Sequence, residues 1–312
     1  MSINGLTGQI TLMFLLMMIG FCINKLDFIH AVTADDLTRI LLTIIGPALI
    51  ITAFEKPFSV SRAWLLLIGG IAMIVTYIIA ILMTKYLFRN VHNINLKRIV
   101  KYSSVYSNVG FLGIPLASSL FGSTGVFFAV IAMAIFNIFN WSHGVALFRS
   151  DPSKNIGEII RHILFNPNII AIMFGLLLFL TGIKLPSIFD QALGYVGNAN
   201  TPLSMIIVGN SLGNLNINRQ MINIQIVKSL VLRNLIFPII SIWVLLGFGI
   251  SGTAFSVLLL MSACPVASLG VLFTLQAKGN TDPAVTLMGL STVFSLVTIP
   301  LVFEIAGIVI HL

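Results

Sequence analysis

At 312 residues, 58% hydrophobic and only 8% charged, with a mean hydropathy of +1.06, the chain has too little polar surface for a soluble domain and is expected to be an all-α polytopic membrane protein. Its net charge of +8 does not point to nucleic acid, because the Lys and Arg residues fall between apolar stretches instead of along one polar face. Cys22 and Cys264 lie far apart in apolar sequence, which gives neither a disulfide framework nor a metal-ligand spacing. Both read as buried packing residues, and no cofactor or metal is expected.

Apolar stretches of about twenty residues, enough to cross a hydrocarbon core, predict ten spans. The first, near 6–24, follows no basic residue, so no cleavable signal is expected and the span stays. The second, near 37–54, carries I-I-G-P-A-L-I-I at 44–51, and the third runs near 63–84. The fourth, near 99–121, is interrupted by S-N-V-G-F-L-G-I-P, Ser107 to Pro115. The fifth, near 124–148, bears Asn137, Asn140 and His143 at a spacing of three, which puts them on one helix face. A polar linker, R-S-D-P-S-K-N at 149–155, leads to a sixth span near 167–183 and a seventh near 196–213. The seventh is punctuated by Asn198, Asn200, Pro202, Asn210 and Ser211 and reads either as a span or as a re-entrant loop. The eighth, near 222–249, contains Lys228 and Arg233; the ninth, near 252–277, contains M-S-A-C-P-V-A-S-L-G, Met261 to Gly270; the tenth runs near 284–310.

Two proline offsets agree. Pro265 follows Pro115 by 150 positions, and Pro202 follows Pro47 by 155 in similar surroundings. The chain is therefore expected to be two related halves, 1–155 and 156–312, each of five spans, the second inverted relative to the first because five is odd. Placing the N-terminus outside puts 14 of the 17 Lys and Arg residues on the cytoplasmic side and only Lys56, Arg62 and Lys184 outside. That excess predicts both termini outside, in the cytoplasmic membrane of a prokaryote.

The two interruptions are the candidate site. Pro115 lacks an N–H and blocks the helical bond to the carbonyl four residues back, while Gly110 and Gly113 permit non-helical backbone. Freed backbone groups at membrane depth cost several kcal/mol each unless protein or a wet cavity receives them. A single such kink is commonly repaired by neighbouring helices, but a pair at corresponding positions points to a substrate site. The candidates are Ser107, Asn108, Gly110, Gly113 and Pro115 from the first interruption and Cys264, Pro265, Val266 and Ala267 from the second. If both segments unwind and cross, their half-helix N-termini present free N–H groups and partial positive charge, which suits an anion. Asn137 lies deep enough in the fifth span to reach a substrate, whereas Asn140 and His143 suit helix-to-helix hydrogen bonds. Arg233 either shapes the substrate path and its field or snorkels to water, an alternative that suits Lys228 better. The sequence has no carboxylate pair, metal cluster or nucleophile beside a base, so an enzyme is not expected.

These residues carry a resemblance. N-x-x-x-x-G-I-P-L at Asn108 to Leu116, L-T-R-I-L-L-T-I-I-G-P at 37–47, R-x-x-x-x-P at Arg233 to Pro238 and C-P-V-A at 264–267 resemble the auxin efflux carrier family, which includes plant auxin exporters and bacterial relatives often assigned as malate permeases. The resemblance implies a ten-helix inverted-repeat fold like that of bile acid sodium symporters, an elevator mechanism, a homodimer, and crossing helices four and nine that bind a carboxylate, with Asn108 at the substrate. Two departures mean that auxin itself is not implied as the substrate: plant members have proline where this chain has Ser107, and a long cytoplasmic loop where this chain has a short one. The expected function is a secondary carrier for a small organic anion such as malate or another carboxylate. A sodium-coupled symporter of the same fold, with ligands from Ser107, Ser262 and unwound carbonyls, is the nearest alternative; a membrane-embedded sensor or enzyme is a more distant one.

Overall fold

The computed structural model describes residues 3–149, 156–214 and 222–311. The linker 150–155 lies outside them, as do two of the cations used for topology, Lys154 and Arg219. All regular structure among the described residues is helical, apart from one isolated antiparallel bridge between Ser107 and Val266.

Among the described residues, six helical stretches are long and apolar enough to cross a membrane: Gly8–Lys25, Val32–Phe54, Val60–Leu87, Val109–Gly144, Ile224–Gly247 and Asp282–Ile310. The other expected spans are shorter or broken. Pro167–Thr181 (α8) follows a separate helix, Ile156–Leu164 (α7), and Gly252–Ala263 (α13) is separated from Leu269–Gln276 (α14). The seventh expected span, near 196–213, is Asn200–Gly213 (α10) with the end of a separate helix, Ser187–Asn198 (α9), which joins it at Ala199 and begins before the expected span. The fourth and fifth expected spans share one helical run, Ile114–Phe139 (α6), but Gly122 within it has φ 60° and ψ −151°. Only glycine adopts that conformation readily, so the run is kinked between the two expected spans, sharply enough that a Cβ on Gly125 would strike the Ala117 carbonyl.

Prolines set the local geometry elsewhere. In the second stretch Ala31–Ile40 (α2) passes through a π-helical turn, Leu41–Ile45, into Gly46–Phe54 (α3). A second π turn, Val109–Gly113, leads into α6, and a third, Leu232–Ile236, joins Ile224–Val231 (α11) to Phe237–Gly247 (α12). Each ends two residues before a proline: Pro47, Pro115 and Pro238. A proline cannot donate to the preceding turn and its ring crowds the carbonyl there; widening the turn by one residue relieves both. The fourth π turn, Asn140–Gly144, has no such proline and ends α6.

The helices pack in two groups. Ile3–Lys25 (α1) lies against α10 so closely that a Cβ on Gly20 would strike the backbone of Ile206, and one on Gly209 the backbone of Met17. Close approach between small residues is how helices gain contact in lipid, where water exclusion supplies no drive. Two polar bonds close one end of this contact: Asn24 Nδ2 donates to Asn210 Oδ1 at 3.2 Å, and Lys25 Nζ to the Gly213 carbonyl at 2.8 Å. α3 packs on α8 and α9. The second group joins Val60–Leu87 (α4), Ile94–Val105 (α5), α6, α11 to α14 and Asp282–His311 (α15). Stacked rings cross its interior, with Tyr102 and Tyr106 centroids 4.6 Å apart. The two groups meet through apolar packing, with the Phe127 ring of α6 edge-on to Phe54 of α3 (5.2 Å) and Phe179 of α8 (5.1 Å), and through polar bonds, where Lys56 Nζ donates to Ser123 Oγ (3.1 Å) and Thr124 Oγ1 (3.0 Å) and Ser119 Oγ to Gln9 Oε1 (2.7 Å). Both cysteines are free, but only Cys264 is buried; Cys22 is exposed on α1, where an apolar helix face replaces the core expected for it.

Candidate functional site

Helix α5 starts on Asn93, whose Oδ1 accepts from Leu96 N at 2.9 Å, and stops at Tyr106, where the backbone turns extended. α13 stops at Cys264, which is also extended, as the residue before a proline is biased to be. The two extended pieces pair antiparallel. Asn108 N donates to the Pro265 carbonyl at 2.7 Å and Ala267 N to the Tyr106 carbonyl at 2.9 Å. Backbone groups released by both interruptions thus satisfy each other. A third element fastens the crossing: Val266 N donates to Ser291 Oγ (3.0 Å), Ser291 Oγ donates to Asn234 Oδ1 (2.6 Å), and Asn234 Nδ2 returns to the Ser291 carbonyl (2.9 Å).

Arg233 is 3% exposed. Its Nη1 donates to the Val105 carbonyl at 2.7 Å and its Nη2 to the Ser262 carbonyl. These carbonyls belong to the last turns of α5 and α13, where helix carbonyls lack intrahelical partners and carry partial negative charge. The guanidinium therefore joins two helix C-termini behind the crossing. It does not border the cavity on the far side of the crossing; beside it is a chamber of about 10 Å³ bordered by Tyr77, Ser107 and Ser262.

On the other side of the crossing lies a cavity of about 270 Å³. Its wall includes Asn108 to Phe111, at the N-terminal end of one half-helix, and Ala267 to Leu269, at that of the other. Asn108 caps its half-helix, Oδ1 accepting from Phe111 N at 3.3 Å. Asn137 also borders the cavity, together with Met133 and Phe136. Across from the crossing the wall comes from the other helix group: Leu42 and Thr43 of the first π turn, and Asn166, Pro167 and Asn168 at the start of α8. No charged residue lines it among the described residues, and no metal-ligand cluster occurs among them.

Of the residues singled out from sequence, Asn108, Gly110, Asn137 and Ala267 border this cavity. Ser107, Cys264, Pro265 and Val266 build the crossing itself and do not border it. Gly113 lets α6 approach α13, since a Cβ there would lie 2.8 Å from Met261 Sδ. Pro115 follows the π turn, its carbonyl 3.5 Å from Thr201 Oγ1. Asn140 Oδ1 accepts from Tyr102 Oη at 2.7 Å, and His143 Nδ1 pairs with Tyr106 Oη at 2.9 Å, so both bond within the helix group. Sequence reasoning missed Asn166 and Asn168, because Asn-Pro reads as an ordinary helix start, and missed Asn234 and Ser291, whose partners lie far away in the chain.

Two comparisons bear on this architecture. The family model described as membrane transport protein matches residues 6–158 and 152–303. An uncharacterized transporter of Methanothermobacter thermautotrophicus is 25% identical over 303 residues, covering 96% of this chain and 98% of that protein. With spanning helices, a crossing of two broken helices and a cavity beside it, the chain is a multi-pass membrane transporter and belongs to the membrane transport protein family.

Proposed function

We propose that the protein is a secondary carrier for a small organic anion, a carboxylate bearing one charge, within the auxin efflux carrier-like part of its family. The observation that carries this reading is the cavity at the N-terminal ends of both half-helices. There, the first-turn N–H groups left without a partner among the described residues, those of Gly110, Ser268 and Leu269, and the Asn108 amide offer donors, while no acidic residue among the described lining residues opposes an anion. A single charge is favoured because the lining has no Lys or Arg to meet a second carboxylate, and Arg233 is committed to carbonyls behind the crossing. Leu42, Phe111, Met133 and Phe136 suit an apolar body.

The architecture we propose has ten spans in two inverted halves, 1–155 and 156–312. The fourth is α5 with α6 to Gly122, the fifth is the rest of α6, and the ninth is α13 with α14. The close packing of α1, α3, α8, α9 and α10 supports a scaffold of spans 1, 2, 6 and 7; the remaining spans form the moving core of an elevator. The excess of Lys and Arg at one end supports both termini outside the cytoplasmic membrane. The family resemblance supports a homodimer.

Purified protein in liposomes tests the function. Labelled monovalent carboxylates should enter faster than into empty liposomes, without sodium and ahead of dicarboxylates. No flux of any carboxylate sinks the reading, and a strict sodium requirement gives the case to a symporter of the same fold.

A further inference from the structure

The side chains around the cavity are neutral, but their hydrogen bonds fix which atom each turns to it. Asn108 Oδ1 accepts from Phe111 N, so its Nδ2 hydrogens remain for the cavity. Asn166 Oδ1 accepts from Asn168 N at 3.0 Å, which likewise leaves Nδ2. Asn137 is held the other way round. Its Nδ2 donates to the Met133 carbonyl at 2.9 Å, and its Oδ1 makes no hydrogen bond within the described residues. A backbone N–H can only donate and a carbonyl only accept, so none of these three amides can be turned over without losing its anchor.

The cavity therefore meets donors on both walls and, beside the buried amide oxygen of Asn168, one acceptor whose orientation a hydrogen bond locks, Asn137 Oδ1, on a residue 5% exposed. A bare carboxylate uses only donors. Bound alone, it would displace water from Asn137 Oδ1 and leave that oxygen unpaired in a mostly apolar enclosure, which is costly. A hydroxyl on the carbon beside the carboxylate supplies the missing donor. An ammonium at the same place would need an anionic partner, and the described lining residues contain no carboxylate.

We propose that Asn137 is a specificity-determining residue that selects, among monovalent carboxylates, those carrying a neutral hydroxyl next to the carboxyl group. The carboxylate lies against the Asn108 amide and the half-helix N-termini, and the hydroxyl donates to Asn137 Oδ1. This rests on the carboxylate reading of the cavity given above.

The test is binding to the purified full chain, read by ligand-induced thermal stabilisation and titration, with acids that differ only in the hydroxyl: lactate against propionate, and phenyllactate against phenylpropionate. Wild-type protein should bind the hydroxy acid of each pair about tenfold or more tightly. Asn137→Leu should erase that difference from both sides, weakening the hydroxy acid, whose hydroxyl loses its acceptor, and tightening the plain acid, which no longer leaves an amide oxygen unpaired. Equal affinities within each pair for the wild type overturn the proposal without needing any variant to fold, and so does discrimination that survives in Asn137→Leu. If none of the four acids binds, it is the carboxylate reading itself that fails.

Discussion

Replacing Arg233 by methionine keeps most of the side-chain volume and removes both the charge and the fork. The variant loses two hydrogen bonds from a cation, to the Val105 and Ser262 carbonyls. At about 1.5–3 kcal/mol each, the gross loss is about 3–6 kcal/mol. Part is recovered because no guanidinium has to be buried, and part is added because two carbonyls at helix ends lose their partner. A net loss of about 3 kcal/mol results, the low end for breaking a buried charged arrangement. In a thermal-unfolding scan of detergent-purified protein that is about 6–12 °C. Arg233→Lys should recover less than half of it, since one ammonium cannot reach both carbonyls with the geometry of a planar fork. An Arg233→Met variant with the parent's melting temperature but impaired transport would refute the clamp and return Arg233 to an electrostatic role towards the anion.

Asn108→Asp keeps an oxygen for the Phe111 N–H and places a negative charge beside the cavity, so the melting temperature should stay within a few degrees while carboxylate binding is lost; retained binding would remove Asn108 from the site. Asn108→Ala should cost about 1 kcal/mol of stability through the lost cap as well as weaken ligand binding, and an unchanged melting temperature would deny the cap. Gly209→Leu drives a side chain into the Met17 backbone and should leave little folded protein by size-exclusion fluorescence, whereas Gly194→Leu, with open space around it, should be tolerated; equal yields would contradict the close α1–α10 contact. At the loop end of α3, partial burial and the neighbouring Asp190 hold the Glu55 carboxyl above its ordinary value of 4.5. A raised acid pKa means that the folded state binds the proton more tightly, so Glu55 contributes stability below pH 4.5 that is lost as pH rises through the raised value. The melting temperature of Glu55→Gln should accordingly lose less than the parent's on going from that acid range to neutral pH; identical pH profiles would deny the shift.

The interruptions were legible because Pro115 and Pro265 sit among small residues where nothing else explains a break, and their pairing follows once both segments are extended. The face shared by Asn137, Asn140 and His143 was also visible, since a spacing of three is a property of the helix alone. What the sequence hid depends on distant partners. In the sequence Arg233 could either shape the substrate path or snorkel to water; its direction is decided by where α5 and α13 end, and those ends adjoin it only in the folded chain. Asn166 and Asn168 reach the cavity because α8 starts opposite the crossing, which no local pattern records. Hydropathy marked 99–121 and 124–148 as separate, and in the fold the division between them is the kink at the positive φ of Gly122. The π turns were not anticipated either; each moves the later part of its helix by about one residue relative to an ideal α-helix, which blurs the periodicity on which a face assignment rests.

Arg233 is the one charged side chain buried among the described residues, and its carbonyl partners carry dipoles but no net charge. Under the carrier reading it travels with the core. An empty core then takes one positive charge through the membrane field, and a core loaded with a monovalent anion takes none. A potential of 100 mV is worth about 2.3 kcal/mol to the first movement and almost nothing to the second. The voltage-sensitive step of such a carrier is the return of the empty core, and the potential sets its pace without pulling on the cargo.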